Sequence, residues 1–276
     1  MSNMYGDSVF QWNCFVGCKF SCKYCVPSFQ RQMKRQKKRC NLCYTYEPHY
    51  HFERLDHDKN HPHLPKTDGD EFIWVASSGD ISFADPSFIK EYLIREFETY
   101  FDRTFYLQSK NPKYFQQFTF PSNVILGCTL ETNVDEGYGE ISKAPRPSLR
   151  ASDFASINHS RKSITIEPIL EFNTQEFTDL IKWIKPERVY VGYDTKKAGL
   201  LEPKLQQTKQ LIKQLETFTK VKTKLLRERY VYFKCSQCGK LLLFENLHEA
   251  KVCCGRLYFI EENKQTTLDQ YVTKGR

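Results

Sequence analysis

From residue 71 onward the chain alternates short apolar runs with longer segments in which apolar residues recur every three or four positions. Residues 72–77, Phe-Ile-Trp-Val-Ala-Ser, read as a buried strand, and over 86–100 the side chains of Phe88, Ile89, Leu93 and Phe97 fall on one helical face. The pair then repeats. A strand over 104–108 leads to a helix opened by Asn111-Pro112, where proline at the first turn has no donor to lose. A strand over 123–130 is followed by a loop of glycine, proline and charge over 132–150 and a short helix near 152–158. Strand 163–170 precedes helix 174–184, and strand 188–193 precedes helix 203–218. With a first strand over 9–13 this makes six strand-helix units in strict alternation, which predicts an α/β fold built on a parallel sheet with right-handed crossovers. Six units are too few to close an eight-stranded barrel.

Size and composition refine this picture. At 276 residues the chain has room for one large domain or a medium domain with a small appendage. The expected division is a main domain over 1–228 with a Cys/His-rich insertion at 40–70, a small module over 229–262, and a flexible tail over 263–276. Apolar runs stay far below the roughly 18 residues that span a bilayer, and the start, Met1-Ser-Asn-Met-Tyr-Gly-Asp, has no signal-peptide pattern. The expectation is a soluble, cytoplasmic protein with no membrane contact. Ten of the 11 cysteines fall in close groups, which in a reducing compartment points to metal ligation; Cys128 stands alone. The net charge of +8 favours anionic partners without identifying them. Six basic residues between Arg31 and Arg39 form either a solvated helix face or a phosphate-binding one.

The chemistry concentrates where the first strand ends. Cys18-Lys-Phe-Ser-Cys22-Lys-Tyr-Cys25 separates three cysteines by three and then two residues, a spacing that lets three thiolates reach three corners of an iron-sulfur cube. A structural zinc site is the alternative, with Cys14 or a histidine as fourth ligand. With Tyr24 before the last cysteine, the stretch resembles the C-x3-C-x-aromatic-C signature of the radical S-adenosylmethionine (SAM) enzymes. The resemblance spans about the first 225 residues. It implies a partial (βα)6 TIM-like barrel, a [4Fe-4S] cluster with one iron left for SAM, hydrogen abstraction from a substrate, and an electron donor such as ferredoxin or flavodoxin. Trp12-Asn-Cys14, Ser109-Lys-Asn-Pro112, Leu130-Glu-Thr-Asn133 and Ile166-Glu-Pro-Ile-Leu170 are together similar to a phage- and archaea-associated radical SAM family, itself distantly similar to spore photoproduct lyase and DNA-repair-photolyase-like proteins. Those relatives act on nucleic acid, so DNA repair or modification is the implied activity. A peptide or small-molecule substrate, or a noncatalytic multi-zinc nucleic-acid-binding protein, are the alternatives.

In such barrels the site lies at the carboxyl ends of the strands. After the second strand, Ser78, Gly79 and Asp80 stand where the family places a glycine-rich motif for the SAM amino group. Gly79 permits close backbone approach, and Asp80 either pairs with an ammonium or caps a helix. Ser109 and Lys110 follow the third strand, with Lys110 suited to the SAM carboxylate. Glu131 and Asn133 follow the fourth and suit a ribose diol. Gly192 and Tyr193 end the sixth, resembling the family's adenine-contact edge. Cys128 is either a hydrogen-atom donor, as a cysteine is in the lyase, or a small buried apolar residue.

Two further metal sites are expected. Cys235-Ser-Gln-Cys238-Gly239 with Cys253 and Cys254 reads as a four-cysteine zinc ribbon, too small to fold without its metal. Cys40 and Cys43 are spaced as half of a second zinc site, with His49 and His51 as possible partners; ligands of a second cluster, or free thiols that bind nothing, are the alternatives. In the tail, Gln265, Leu268 and Tyr271 resemble a peptide that binds sliding clamps, with Leu268 and Tyr271 on one side of a helical turn.

Overall fold

The computed structural model describes residues 5–25, 34–55, 64–230, 232–243, 257–261 and 264–267. The strands in chain order are β1 (Ser8–Trp12), β2 (Phe15–Val16), β3 (His49–Tyr50), β4 (Phe72–Val75), β5 (Phe105–Ser109), β6 (Val124–Thr129), β7 (Lys162–Ile166), β8 (Arg188–Gly192), β9 (Lys220–Lys224), β10 (Tyr232–Cys235), β11 (Leu241–Leu243), β12 (Leu257–Glu261) and β13 (Lys264–Thr267). The helices are α1 (Asn41–Thr45), α2 (Pro86–Phe88), α3 (Ile94–Thr99), α4 (Pro147–Ala155), α5 (Thr174–Ile184) and α6 (Leu205–Leu215).

Strands β1-β4-β5-β6-β7-β8-β9 form one parallel sheet whose spatial order follows the chain, a half-barrel consistent with a partial TIM-like barrel. Side-chain alternation divides its two faces. Val124, Leu126, Cys128 and Leu130 join Phe105, Leu107, Ile164, Ile166, Val189 and Val191 in the main core, with Phe97, Phe154, Phe177 and Leu211 from the helices. The opposite face carries Phe72, Trp74, Tyr106, Ile125 and Tyr190 around Tyr5. Tyr5 meets four of these rings edge-on at 4.6–5.7 Å and hydrogen-bonds Thr165 at 2.7 Å. Aromatic bulk thus fills the inner face on the Tyr5 side, and polar residues line its other end.

Several elements differ from the sequence expectation. Beyond six strand-helix units the sheet gains β9, Lys-Val-Lys-Thr-Lys, which lacks an apolar run because its inward positions are charged. Lys222 meets Asp7 at 2.8 Å and Asp70 at 2.9 Å, and Lys224 meets Glu167 at 3.2 Å. The helix expected over 86–100 contains a π-helical stretch, Ile89–Leu93, between α2 and α3. The helix after Asn111-Pro112 is a 3-10 helix, Pro112–Gln117, and α4 starts earlier than 152 because Pro147 occupies its first turn. Of the basic run, Lys34–Gln36 is 3-10 helix and residues 31–33 lie outside the described residues.

The small antiparallel sheet has the order β11-β10-β12-β13. Gln265, expected in a flexible tail, instead pairs with Ile260 in β13, because β12 offers an edge to a β-compatible Gln-Thr-Thr run. Leu268 and Tyr271 lie outside the described residues. Among the described residues no helix is long and apolar enough to cross a membrane.

Candidate active site

The cysteine loop is bolted to the sheet before its first sulfur appears. Asn13 accepts from the Ser78 amide at 2.7 Å and the Ser77 hydroxyl at 3.1 Å, while the Trp12 indole donates to the Arg54 carbonyl at 2.8 Å. Gly17 donates to the Ser78 carbonyl at 3.1 Å, and the Asp80 amide donates to the Gly17 carbonyl at 3.0 Å. The crossing is as tight as two backbones allow. A Cβ on Gly79 would stand 2.8 Å from the Gly17 oxygen, and one on Gly17, at φ +108°, would stand 2.4 Å from the Glu47 carbonyl. Gly79 therefore admits the cysteine loop itself. Gly17→Ala is expected to lose about 1–3 kcal/mol from backbone strain alone, read as a lower urea midpoint.

A second segment zips along the loop. Lys23 donates to the Ile141 carbonyl at 2.9 Å, Lys143 to the Phe20 carbonyl at 2.8 Å, and the Cys22 sulfur lies 3.0 Å from the Ser142 hydroxyl. Cys18, Cys22 and Cys25 are thiols, not disulfides, and pack in one cluster with Phe20, Tyr24 and Tyr138. Burial pushes the Cys18 thiol well up and that of Cys25 up to about 12, and the neighbouring sulfurs add to both shifts. Among the described residues, one group of three or more ligand atoms converges within 4.8 Å, and it is not this one. Cys14, weighed as a fourth ligand, is packed in the sheet-helix core apart from the loop cluster.

Tyr24 links this loop to a buried ionic hub. Its phenol donates to Oε1 of Glu131, which also accepts from Lys110 and, at 3.1 Å, from Tyr138; Arg150 donates to Oε2 at 2.8 Å and to the Thr129 carbonyl. The side chains of Glu131 and Arg150 are 0% exposed. Burial alone would push the Glu131 carboxyl up, but Arg150 and Lys110 outweigh it and hold it well below the usual carboxylate range. Two cations face one carboxylate, and the excess positive charge lies against the thiol loop, with Lys110 5.2 Å from the Tyr24 ring centre.

The other predicted residues divide into groups. Asp80 is the cap of the 3-10 turn Ile81–Phe83, and its two oxygens also accept from the Ser109 hydroxyl at 2.7 Å and the Lys110 amide at 2.8 Å. Asp80 and Ser109 thereby fix the backbone that presents Lys110. Asn133 ties its loop to the start of α5, accepting from the Asn173 amide at 3.0 Å. The Gly192 carbonyl is engaged by the Ile169 amide at 2.8 Å, and the Tyr193 phenol is buried against Thr208 of α6 at 2.7 Å, so its ring faces the helix layer. Cys128 also belongs to the helix-facing core, on the opposite side of β6 from Thr129, which places its sulfur away from the inner face and fits the small buried apolar residue instead.

Arg150 and Tyr138 went unread in the sequence. For Arg150 a signal existed: it follows Pro147 by three and precedes Phe154 by four, on the buried face of α4. Tyr138 sits in a loop whose glycine, proline and charge give no such cue. Glu167 is also noteworthy, a half-buried carboxyl pushed up by desolvation beside Lys224.

Two sulfur-rich sites lie outside the hub. Cys40, Cys43, His49 and His51 bring one ligand atom each within 4.8 Å of one another. In the small sheet, the Gly239 amide donates to the Cys235 carbonyl at 3.0 Å and the Gln237 amide approaches the Cys235 sulfur at 3.4 Å, a turn that wraps Cys235 and Cys238 as a zinc knuckle does; Cys253 and Cys254 lie outside the described residues.

No protein-family model and no curated protein matches the chain. Among the solved structures distantly similar to it are two of spore photoproduct lyase. One is spore photoproduct lyase complexed with dinucleoside spore photoproduct, at 13% identity and a TM-score of 0.44; the other is a point variant of spore photoproduct lyase, at 13% identity and a TM-score of 0.43. Each comparison covers 88% of this chain and 71% of the other.

Proposed function

We propose that this chain is a radical SAM enzyme that acts on nucleic acid, with DNA repair or modification as its task. The observation that carries the reading is the loop of three thiols, packed in one cluster and anchored at the carboxyl end of a parallel half-barrel beside Lys110 and the buried Arg150, two cations that share the Glu131 carboxylate. Cys18, Cys22 and Cys25 are the residues to hold a [4Fe-4S] cluster, and their donor set fits one: three soft ligands on a single loop, with no fourth thiol packed in their cluster among the described residues. When bound, cluster and SAM supply an electron and a carbon radical that removes hydrogen from the substrate. The chain's own part is placement. Gly17 and Gly79 set the height of the loop, Tyr24 locks it to Glu131, and the cation excess of Lys110 and Arg150 suits an anionic occupant such as a carboxylate.

For the substrate, support comes from the charge of +8 and from the Cys235-Cys238 turn, whose sequence type is used to grip nucleic acid. Reaching a base atom at the end of a barrel requires a single strand or an extruded base. Ferredoxin or flavodoxin fits as electron donor. Engagement of a sliding clamp by Gln265, Leu268 and Tyr271 requires Gln265 to leave β13, so clamp binding and the β12–β13 pairing are mutually exclusive.

Anaerobic reconstitution with iron and sulfide tests the enzyme: an absorbing iron-sulfur protein that forms 5'-deoxyadenosine from SAM is expected, and zinc alone on Cys18, Cys22 and Cys25 would remove the reading. For the substrate, binding to single-stranded DNA is expected to weaken linearly in log–log form with salt, with each phosphate contact contributing about 0.7 to the slope. A slope near zero argues for a small uncharged substrate.

A further inference from the structure

The four residues Cys40, Cys43, His49 and His51 converge because of where three local elements end. Cys40 is the N-cap of α1 and its sulfur accepts from the Cys43 amide at 3.4 Å, so both sulfurs sit at one end of the same turn. Across from them, β3 pairs with β2 through Val16↔His49, and the period of an extended chain points His49 and His51 to the same side. Tyr50, between them, turns the other way onto Phe15 and Phe88.

The contacts approach the edges of a metal tetrahedron, several of them a few tenths of an ångström short of it. The Nε2 atoms of His49 and His51 lie 3.3 and 3.1 Å from the Cys43 sulfur and 3.0 Å from each other, and the Cys40 sulfur lies 3.5 Å from His49 Nε2. Zinc with bonds of about 2.0–2.1 Å to nitrogen and 2.3 Å to sulfur sets such edges at about 3.3–3.8 Å. The ring partners fix the tautomers. His49 Nδ1 meets the Glu47 carbonyl at 2.7 Å and His51 Nδ1 meets the Glu53 carboxylate at 2.7 Å. Both partners only accept, so each Nδ1 carries the proton and each Nε2 is the ring atom turned toward the other imidazole and the sulfurs. Two Nε2 atoms at 3.0 Å with two sulfurs beside them make a four-atom ligand set for a cation.

We propose that Cys40, Cys43, His49 and His51 bind one structural zinc ion, and that this ion braces the wall on which the Cys18–Cys25 loop rests. Four protein ligands close the shell, which makes the site structural, and the mix of two sulfurs with two imidazoles at tetrahedral spacing selects zinc over harder divalent ions. The bracing follows from the connection between the ligands. Between Cys43 and His49 the chain presents the Tyr46 carbonyl to the Cys18 amide at 3.4 Å, the Glu47 backbone to Gly17, and the Glu47 carboxylate to Lys19 at 3.4 Å. Directly after it, the His51 amide donates to the Cys14 carbonyl at 2.8 Å. The metal thus pins both ends of the strap behind the thiol loop. The bracing role, though not the zinc site, rests on reading that loop as the cluster ligand.

The test uses the full chain, purified anaerobically, with metals counted per chain. Cys40→Ser with Cys43→Ser is expected to lose one zinc equivalent while Cys235→Ser with Cys238→Ser leaves this site filled; unchanged zinc in the first variant, or iron in its place, overturns the proposal. His51→Cys, which keeps four ligands, is expected to retain the ion that His51→Ala loses. Glu53 is 63% exposed, so Glu53→Ala leaves the fold alone, yet losing its bond to His51 is expected to weaken zinc binding about 10- to 100-fold in chelator competition. An unchanged affinity counts against the site. For the bracing, the triple variant Cys18→Ala, Cys22→Ala, Cys25→Ala, which holds no cluster, is stripped of zinc, and hydrogen exchange at the backbone amides of positions 17 and 18 is expected to rise at least tenfold. No rise overturns the bracing; retention of zinc by the triple variant keeps this result separate from the fate of the cluster reading.

Discussion

Glu131→Ala is expected to destabilise the protein by about 3–5 kcal/mol, the range seen when one member of a buried ion pair is removed. The physical reason is the charge it leaves behind. Arg150 is fully buried and the Lys110 side chain is only 15% exposed, so without the carboxylate two cations stand together in low dielectric, and the phenols of Tyr24 and Tyr138 lose their acceptor. Lys110→Met should cost less, because the Arg150–Glu131 pair survives it with charges balanced. Arg150→Met falls between, since it also removes a donor to the Thr129 carbonyl. Urea midpoints of the three variants give the order, and a Glu131→Ala variant as stable as its parent would mean that the hub is not buried as described. The pH dependence has a fixed sign. Because the folded carboxyl is held below its ordinary value, Glu131 contributes fully above an unfolded pKa of about 4.3 and loses that contribution as pH falls through the lower folded value. In Glu131→Gln this part of the acid sensitivity should disappear.

The hub also shows how far the sequence could be read. Strands buried on both faces announce themselves as apolar runs, so β4, β6 and β8 are legible, as is α5, expected over 174–184 and capped in the structure by Asn173. β9 is invisible to that rule, because Lys222 and Lys224 face inward onto acids contributed by segments up to 215 residues away. The strand ends were located correctly as the polar region, but the roles of their residues depend on partners that spacing cannot supply. Asp80 is polar at the right place, yet four donors from Ser82, Ser109 and Lys110 consume it as a cap. Glu131 looked like a partner for a diol and is instead the counter-ion of Lys110 and Arg150. For the Cys40 pair, His49 and His51 were legible as possible partners, but their separation by one residue lies outside the usual three-to-five spacing, and only the extended conformation at β3 brings them to one side.

Replacing Cys18, Cys22 or Cys25 by alanine, one at a time, is expected to lower reconstituted iron from about four per chain to near zero and to abolish SAM cleavage, with little change in the urea midpoint. A cube held by three sulfurs has no spare ligand, so each loss is nearly complete, whereas the loop itself is held by backbone bonds from Gly17, Lys23 and Lys143 that alanine leaves untouched. The informative controls are the buried cysteines elsewhere. Cys14 and Cys128 have thiols that burial pushes up to about 12, and both pack among apolar side chains of the sheet-helix core. Cys14→Ala and Cys128→Ala should therefore keep their iron and their 5'-deoxyadenosine formation, at the cost of a small packing defect of about 1 kcal/mol. If Cys14→Ala loses iron as completely as Cys22→Ala, a fourth protein sulfur closes the cluster, no coordination site is left for SAM, and the enzyme reading fails on that result alone. If Cys128→Ala cleaves SAM normally but no longer completes turnover on DNA, its thiol reaches the substrate radical, and its place in the helix-facing core must open during the reaction.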